Sequence, residues 1–220
     1  ILRDITKVKR LERVKRDFIA NASHELRTPV AVIQANSEVL LSGAMNDPVF
    51  GPRFLDGIHR NALRLGRLLG DLLDLSKLDA GKLPMELKFL RAEDLILRTL
   101  EELKFKLEEK EQILGLKIES DAVMFTDEAA FCQIMTNYIE NAIKYTPSHS
   151  KILIEGRCSE ERLLISVKDN GPGIAKKYIP RVFERFFRVD KGRSKEQGGT
   201  GLGLSIVRNL AHAIGAQVGV

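Results

Sequence analysis

The chain has 220 residues, 44% of them hydrophobic, enough for one large or two small domains around a buried core. Its formal charge of +5 and pI near 9.2 are modestly basic, and no apolar run approaches the roughly 18 residues that cross a bilayer. Cys132 and Cys158 lie apart, with no CxxC or His/Cys spacing, which excludes a thiolate metal site and reads as reduced, structural thiols.

The chain opens with Lys7, Lys9, Arg10, Arg13, Lys15 and Arg16 on a stretch of helical periodicity. Acidic and apolar residues interrupt that run, so it predicts a solvated helix face and no nucleic-acid partner. Ile5, Val8, Leu11, Val14, Phe18 and Ala22 step by three and four, continuing through Leu26, Ile33 and Leu40, and predict one long amphipathic helix. Ser42–Pro52, dense in Gly, Pro, Asn and Asp, predicts a loop. A second helix follows, with Phe54, Ile58, Leu65, Leu68, Leu72, Leu75 and Leu78 on one face. Two helices and a short loop make an antiparallel hairpin, whose leftover apolar seam predicts a homodimer through a four-helix bundle.

After Gly81 and Pro84 the pattern changes. A strand is expected at Met85–Phe89, a helix at Glu93–Glu111, and short strands at Ile113–Glu119 and Val123–Phe125. Glu128–Tyr145 reads as a helix closed by Pro147, and Lys151–Arg157 with Leu163–Asp169 as a hairpin turning through Cys158–Arg162. A Gly-rich, charged stretch runs to Gly203, then a helix over Leu204–Ile214 and a strand start at Ala216–Val220. Mixed strands and helices predict an α+β layer of helices on one sheet. Starting at Ile1 and stopping at Val220, the sequence reads as a piece of a longer protein.

Four segments carry chemistry, in fixed order. His24-Glu25-Leu26-Arg27-Thr28-Pro29 lies inside the first helix. A lone histidine in a helix is ordinarily structural, but this one adjoins a carboxylate, has Thr28 one turn along on its face, and precedes a proline. Pro29 cannot donate to the Glu25 carbonyl and should bend the helix beside the imidazole. Asn137, Asn141 and Lys144 share one face of a later helix, where amide oxygens suit Mg²⁺ and an ammonium suits phosphate, although a polar solvent face would read the same. Asp169-Asn170-Gly171-Pro172-Gly173 follows a β-run; its glycines permit a tight turn, and its carboxylate could accept from an adenine amine. Gly198-Gly199-Thr200-Gly201-Leu202-Gly203 runs into a helix, an arrangement suited to phosphates but lacking the Lys-Ser/Thr of a P-loop.

In this order the segments resemble the H, N, G1 and G2 boxes of sensor histidine kinases, with Phe183-Glu-Arg-Phe186-Phe187-Arg188 resembling the F box between them. The resemblance covers essentially the whole chain. It implies a dimerisation and histidine-phosphotransfer hairpin over residues 1–83, whose residues 1–6 resemble the tail of a PAS sensor domain. It also implies a Bergerat-type ATP-binding domain over 84–220, lacking the family's last strands. The opening and the H box resemble those of phosphate-regulon-type membrane sensors.

The resemblance also implies roles. His24 would be the nucleophile and Glu25 its orienting carboxylate; apart from the resemblance, Thr28, one turn along on the same face, could aim a water at a phospho-aspartate or merely bond back to a carbonyl beside Pro29. Asn141 with Asn137 would hold Mg²⁺. Lys144, Tyr145, Asp169, Gly171, Gly173, Gly199, Gly201, Leu202 and Gly203 would form the ATP site, and Ala175–Gly198 the lid that Phe183, Phe186 and Phe187 anchor. The implied partner is a response-regulator receiver domain docking near Val32, Ala35, Asn36 and Val39. The implied setting is the cytoplasmic part of a parent anchored in the cell membrane through segments upstream. Rival readings are an ATP-hydrolysing relative and a catalytically weak dimeric scaffold. The hydrolases place a glutamate four residues before the magnesium asparagine, where this chain has Asn137, and the scaffold sits poorly with boxes that are all intact.

Overall fold

The computed structural model describes residues 6–81, 83–119, 122–159, 162–189 and 199–220. It divides into two compact units, the first holding α1 and most of α2, the second the sheets and the later helices.

In the first unit, α1 spans Thr6–Leu41 and α2 spans Phe50–Asp79, with a 3₁₀ turn at Ala44–Asn46 between them. The predicted loop is shorter than expected. Gly51 and Pro52 belong to the first turn of α2, where proline has no hydrogen bond to lose. Asp47 starts that turn by accepting from Val49 N at 2.8 Å and Phe50 N at 2.9 Å, which also holds its carboxyl below the ordinary value. Pro29 sits buried within an unbroken α1. The predicted apolar face of α2 points inward, with Leu68 and Leu75 fully buried. Asn36 crosses the hairpin. Its Nδ2 donates to Phe54 O at 3.5 Å, and it fills the space a side chain at Gly57 would occupy. A second set of apolar residues, Leu55, Leu63, Leu69 and Leu73, stays 45–60% exposed.

In the second unit, β1 (Lys88–Arg91) pairs antiparallel with β3 (Val123–Thr126) as a separate ribbon. β2 (Ile113–Ile118) pairs parallel with β4 (Lys151–Ser159), and β4 antiparallel with β5 (Arg162–Asp169), in the order β2-β4-β5. The described strands therefore form two sheets where one was expected. β1 lies further along than predicted because its register is set by pairing Phe89 with Phe125. The hairpin strands run on to Ser159 and from Arg162, further than the sequence suggested. Ala216–Val220 forms no strand; a ladder needs a partner, and none of the described strands pairs with it.

α3 (Ala92–Glu109), α4 (Glu128–Tyr145) and α5 (Gly203–Ala213) complete the unit. Ile96 of α3, Ile139 of α4 and Ile152 and Ile154 of β4 are fully buried, each contributing about 1.5–3 kcal/mol of transfer free energy. The alternation along β4 puts Glu155 on the other face, ion-paired with Lys168, and that contact lowers its carboxyl pKa. α4 starts where it does because Asp127 caps it, with Oδ1 accepting from Ala130 N at 2.8 Å and Oδ2 from Glu86 N at 2.7 Å. None of the described helices is long and apolar enough to cross a membrane.

Candidate active site

The chemistry-bearing side chains fall into two sets, one in each unit. In the first, His24 lies exposed on α1, above a shallow depression that it lines with Arg27, Thr28, Ala31, Val32 and Ala35. Thr28 Oγ1 donates to His24 O at 3.3 Å, so residue and hydroxyl share a face as their spacing required. Glu25 turns the other way. Its Oε2 lies 3.1 Å from Arg64 Nη2 on α2, in a pair whose side chains are only 15% and 13% exposed. The carboxylate expected to serve the imidazole is thus tied to a cation that spacing could not reveal, since Arg64 lies 39 residues away. Of the predicted docking residues, Val32, Ala35 and Val39 are exposed, but Asn36 is committed to the hairpin seam through Phe54 O.

In the second unit Gly201–Gly203 of the glycine-rich segment, the asparagine face of α4 and the Asp169 turn meet, while Gly199 and Thr200 group with the first unit. α4 carries Asn137, Asn141, Lys144 and Tyr145, the first three half-buried, with Lys144 Nζ 4.9 Å from the Tyr145 ring centre. Asn137 Nδ2 donates to Gln133 O at 2.9 Å, while Oδ1 faces Gly203 so closely that an added Cβ there would overlap it. The start of α5 therefore lies against the asparagine face of α4. The Asp169 loop closes on the C-terminal end of α4. Asp169 Oδ1 accepts from Gly171 N at 2.8 Å, and a Cβ at Gly171 would lie 2.8 Å from that oxygen and 3.0 Å from Thr146 Cγ2. Gly171 is therefore wedged between the acidic turn and the residues that follow Lys144.

The F-box segment adjoins the glycine-rich one. Phe186 N donates to Gly201 O at 2.8 Å, and both residues hold positive φ, 62° and 72°. Phe187 packs on Tyr178 at 6.0 Å and under Arg181 at 4.5 Å, while Leu202 is fully buried. Gly199 is half-buried, and Gly173 has φ +67 and open space around it. Gly198 and the lid positions 190–198 lie outside the described residues, as do Ile1–Ile5 of the expected sensor tail. Glu140, the acid nearest Asn141 on α4, is ion-paired with Lys106 of α3. It is not poised as a base for water, which argues against the hydrolase reading.

No group of three His, Cys, Asp or Glu that could hold a metal occurs among the described residues. The oxygen donors available on the α4 face are amides, a set that suits Mg²⁺ held mainly by phosphates and water. Sequence reasoning missed Arg64, Asp127, Lys110 and Gln112. Only Asp127 had a local signal, an acid directly before a helical pattern.

Comparison with known proteins agrees with this layout. Residues 14–81 match the His Kinase A (phospho-acceptor) domain family. Residues 126–220 match the family of histidine kinase-, DNA gyrase B- and HSP90-like ATPases. Sensor histidine kinase WalK of Bacillus subtilis is 34% identical, over 99% of this chain and 36% of its own length. Phosphate regulon sensor protein PhoR of Pseudomonas aeruginosa is 36% identical, over 96% of this chain and 47% of its own. The chain thus spans less than half the length of either relative. Among solved structures, full-length ShkA in complex with AMPPNP superposes with a TM-score of 0.66 at 27% identity, covering 92% of this chain and 42% of that one. Acinetobacter baumannii histidine kinase AdeS shares the fold, with a TM-score of 0.69 at 24% identity and 86% of each chain covered.

Proposed function

Because this chain belongs to the two-component sensor histidine kinases, carrying both modules of their catalytic core, we propose that it phosphorylates itself on His24 from ATP and passes the phosphate to a response regulator. The supporting observation is the convergence in the second unit: Asn137 against Gly203 midway along α4, and Asp169–Gly171 against Tyr145–Thr146 at its C-terminal end. A nucleotide along α4 would present its triphosphate to the α5 start and its adenine to Asp169.

In the first step, a nitrogen lone pair of neutral His24 attacks the γ-phosphorus. An N–P bond forms, the bond between that phosphorus and the bridging oxygen of ADP breaks, and the imidazole sheds its other ring proton. Glu25, next along α1, is the nearest carboxylate to accept that proton, which requires it to turn from its pair with Arg64 toward the imidazole. In the second step the phosphoryl group moves to an aspartate of a receiver domain docked on the exposed face around Ala35. Asn141 and Asn137 would hold Mg²⁺, which when bound neutralises phosphate charge; Lys144 adds a second cation. Positioning and charge stabilisation then carry the rate.

The exposed leucines of α2 support dimerisation into a four-helix bundle. Residues 1–83 then act as the phosphotransfer module and 84–220 as the ATP module, in a parent anchored in the membrane elsewhere. Dephosphorylation of the regulator, with Thr28 aiming a water, belongs to the same reading. The test is incubation with γ-labelled ATP followed by acid and base. The label should be lost in acid, survive base, and be missing in His24→Gln. Acid-stable label, or label retained by His24→Gln, removes His24 as the acceptor.

A further inference from the structure

We propose that Lys110 and Gln112, outside every nucleotide motif, are positioning residues that set the adenine end of the ATP site; the inference rests on the kinase reading above. A helix leaves its last carbonyls without N–H partners, and those carbonyls carry the negative end of its dipole. At the end of α4, Lys110 supplies the missing donors. Its Nζ reaches Ile143 O at 2.7 Å, Lys144 O at 3.1 Å and Thr146 O at 3.0 Å. An ammonium has three hydrogens, so all are engaged. Gln112 adds Nε2 contacts to Ile143 O at 3.1 Å, Thr146 Oγ1 at 2.7 Å and Pro147 O at 3.2 Å. Both come from the connection between α3 and β2, so they fasten the exit of α4 to a different part of the unit. His149 N, donating to Lys110 O at 2.9 Å, closes the loop from the other side.

The consequence passes through Thr146. Its hydroxyl donates to Ala142 O at 2.7 Å and accepts from Gln112, so both of its roles are filled and its rotamer is fixed. That rotamer aims Cγ2 at Gly171, 3.0 Å from where a Cβ would stand, with Tyr145 O at 3.4 Å on the same side. Gly171 N in turn holds Asp169 Oδ1, which leaves Oδ2 as the oxygen for an exocyclic amine. Releasing Gln112 leaves the Thr146 hydroxyl held by Ala142 O alone, releasing Lys110 unpins the Thr146 carbonyl, and either lets the Asp169 turn drift. The amine acceptor would lose its place, while the α5 start and the Asn137 face, about two turns back along α4, would keep theirs.

The experiment measures dissociation constants for ATP and for magnesium tripolyphosphate, which has no base, on the full chain. The proteins are wild type, Lys110→Met, Lys110→Arg, Gln112→Met and Asp169→Asn, with autophosphorylation at saturating ATP alongside. Lys110→Met and Gln112→Met should each weaken ATP by about tenfold, hold tripolyphosphate within twofold and keep kcat within threefold, a split that general loss of structure would not give. Lys110→Arg, which still presents several N–H donors, should recover ATP binding. Equal weakening of both ligands, ATP binding unchanged in both methionine variants, or an arginine variant as weak as the methionine one would each overturn the inference. Should either methionine variant fail to fold, the remaining one and the arginine rescue decide. A wild type that binds no ATP brings down the kinase reading itself. A wild type that binds ATP, with Asp169→Asn impaired and the clamp variants normal, brings down only this inference.

Discussion

Gly201 and Gly173 offer a controlled pair of substitutions. Both occupy the left-handed region, with φ +72 and +67, so alanine pays a similar conformational penalty at each, about 1–2 kcal/mol. Their surroundings differ. A Cβ at Gly173 meets nothing within 4 Å, whereas at Gly201 it would stand 3.0 Å from Phe186 Cα and C and 3.2 Å from Phe187 O. Carbon contacts are comfortable near 3.5–4.0 Å, so backbone must open by about half an ångström or more. Phe186 resists, because its N–H already bonds Gly201 O at 2.8 Å and its own φ is 62°. Overpacking of this kind costs about 1–3 kcal/mol. Gly201→Ala should therefore destabilise the second unit by about 2–5 kcal/mol and Gly173→Ala by only about 1–2 kcal/mol. In melting temperature, 1 kcal/mol is worth about 3–6 °C in a unit of this size. Scanning calorimetry of both variants beside the wild type reads the gap directly. If the two melt together, the Phe186–Gly201 contact is not the constraint described here.

Two other outcomes follow from single side chains. Tyr138, whose hydroxyl donates to Gly219 O at 3.2 Å, has its pKa pushed up by burial from 10.0 to about 12. Its neutral form is the one the fold favours, so its contribution is complete below pH 10 and is lost as pH rises toward 12; Tyr138→Phe should flatten the fall in stability across that window, measured by urea unfolding at pH 9, 10 and 11, and identical slopes would refute the assignment. Thr28→Ala should keep autophosphorylation within about threefold while cutting dephosphorylation of the regulator tenfold or more, with circular dichroism as a check on α1; a parallel fall in both rates would mean that the hydroxyl only caps His24 O.

The sequence made the helices legible because their apolar spacing is strong and local: all seven α2 positions picked by periodicity are buried or half-buried. Register and pairing are long-range properties, and there the reading slipped. Nothing near Met85 says that Phe89 will meet Phe125, or that the ribbon they form stands apart from the three-stranded sheet. The site divides in the same way. Its motif residues were found because each box is contiguous, and the boxes meet along α4. Arg64, Lys110 and Gln112 act on residues 31–39 positions away, through contacts that only the folded chain creates. Pro52 shows a third kind of miss. A residue that breaks helices in their interior is at home in the first turn, and composition alone does not say which position it holds.

The seat of Asn36 over Gly57 bears on how a mechanical signal travels along the hairpin. The amide bonds Phe54 O and occupies room that exists only because residue 57 has no side chain. A piston stroke of α1 by one residue rise, about 1.5 Å, would carry the amide off its acceptor and toward side chains on either side. Sliding of α1 along α2 at this rung therefore breaks the contact and drives the amide into the neighbouring turn. Eleven residues toward the N-terminus, the Glu25–Arg64 pair adds a second tie, so α1 is held to α2 at two levels, one beside His24 and one beyond it.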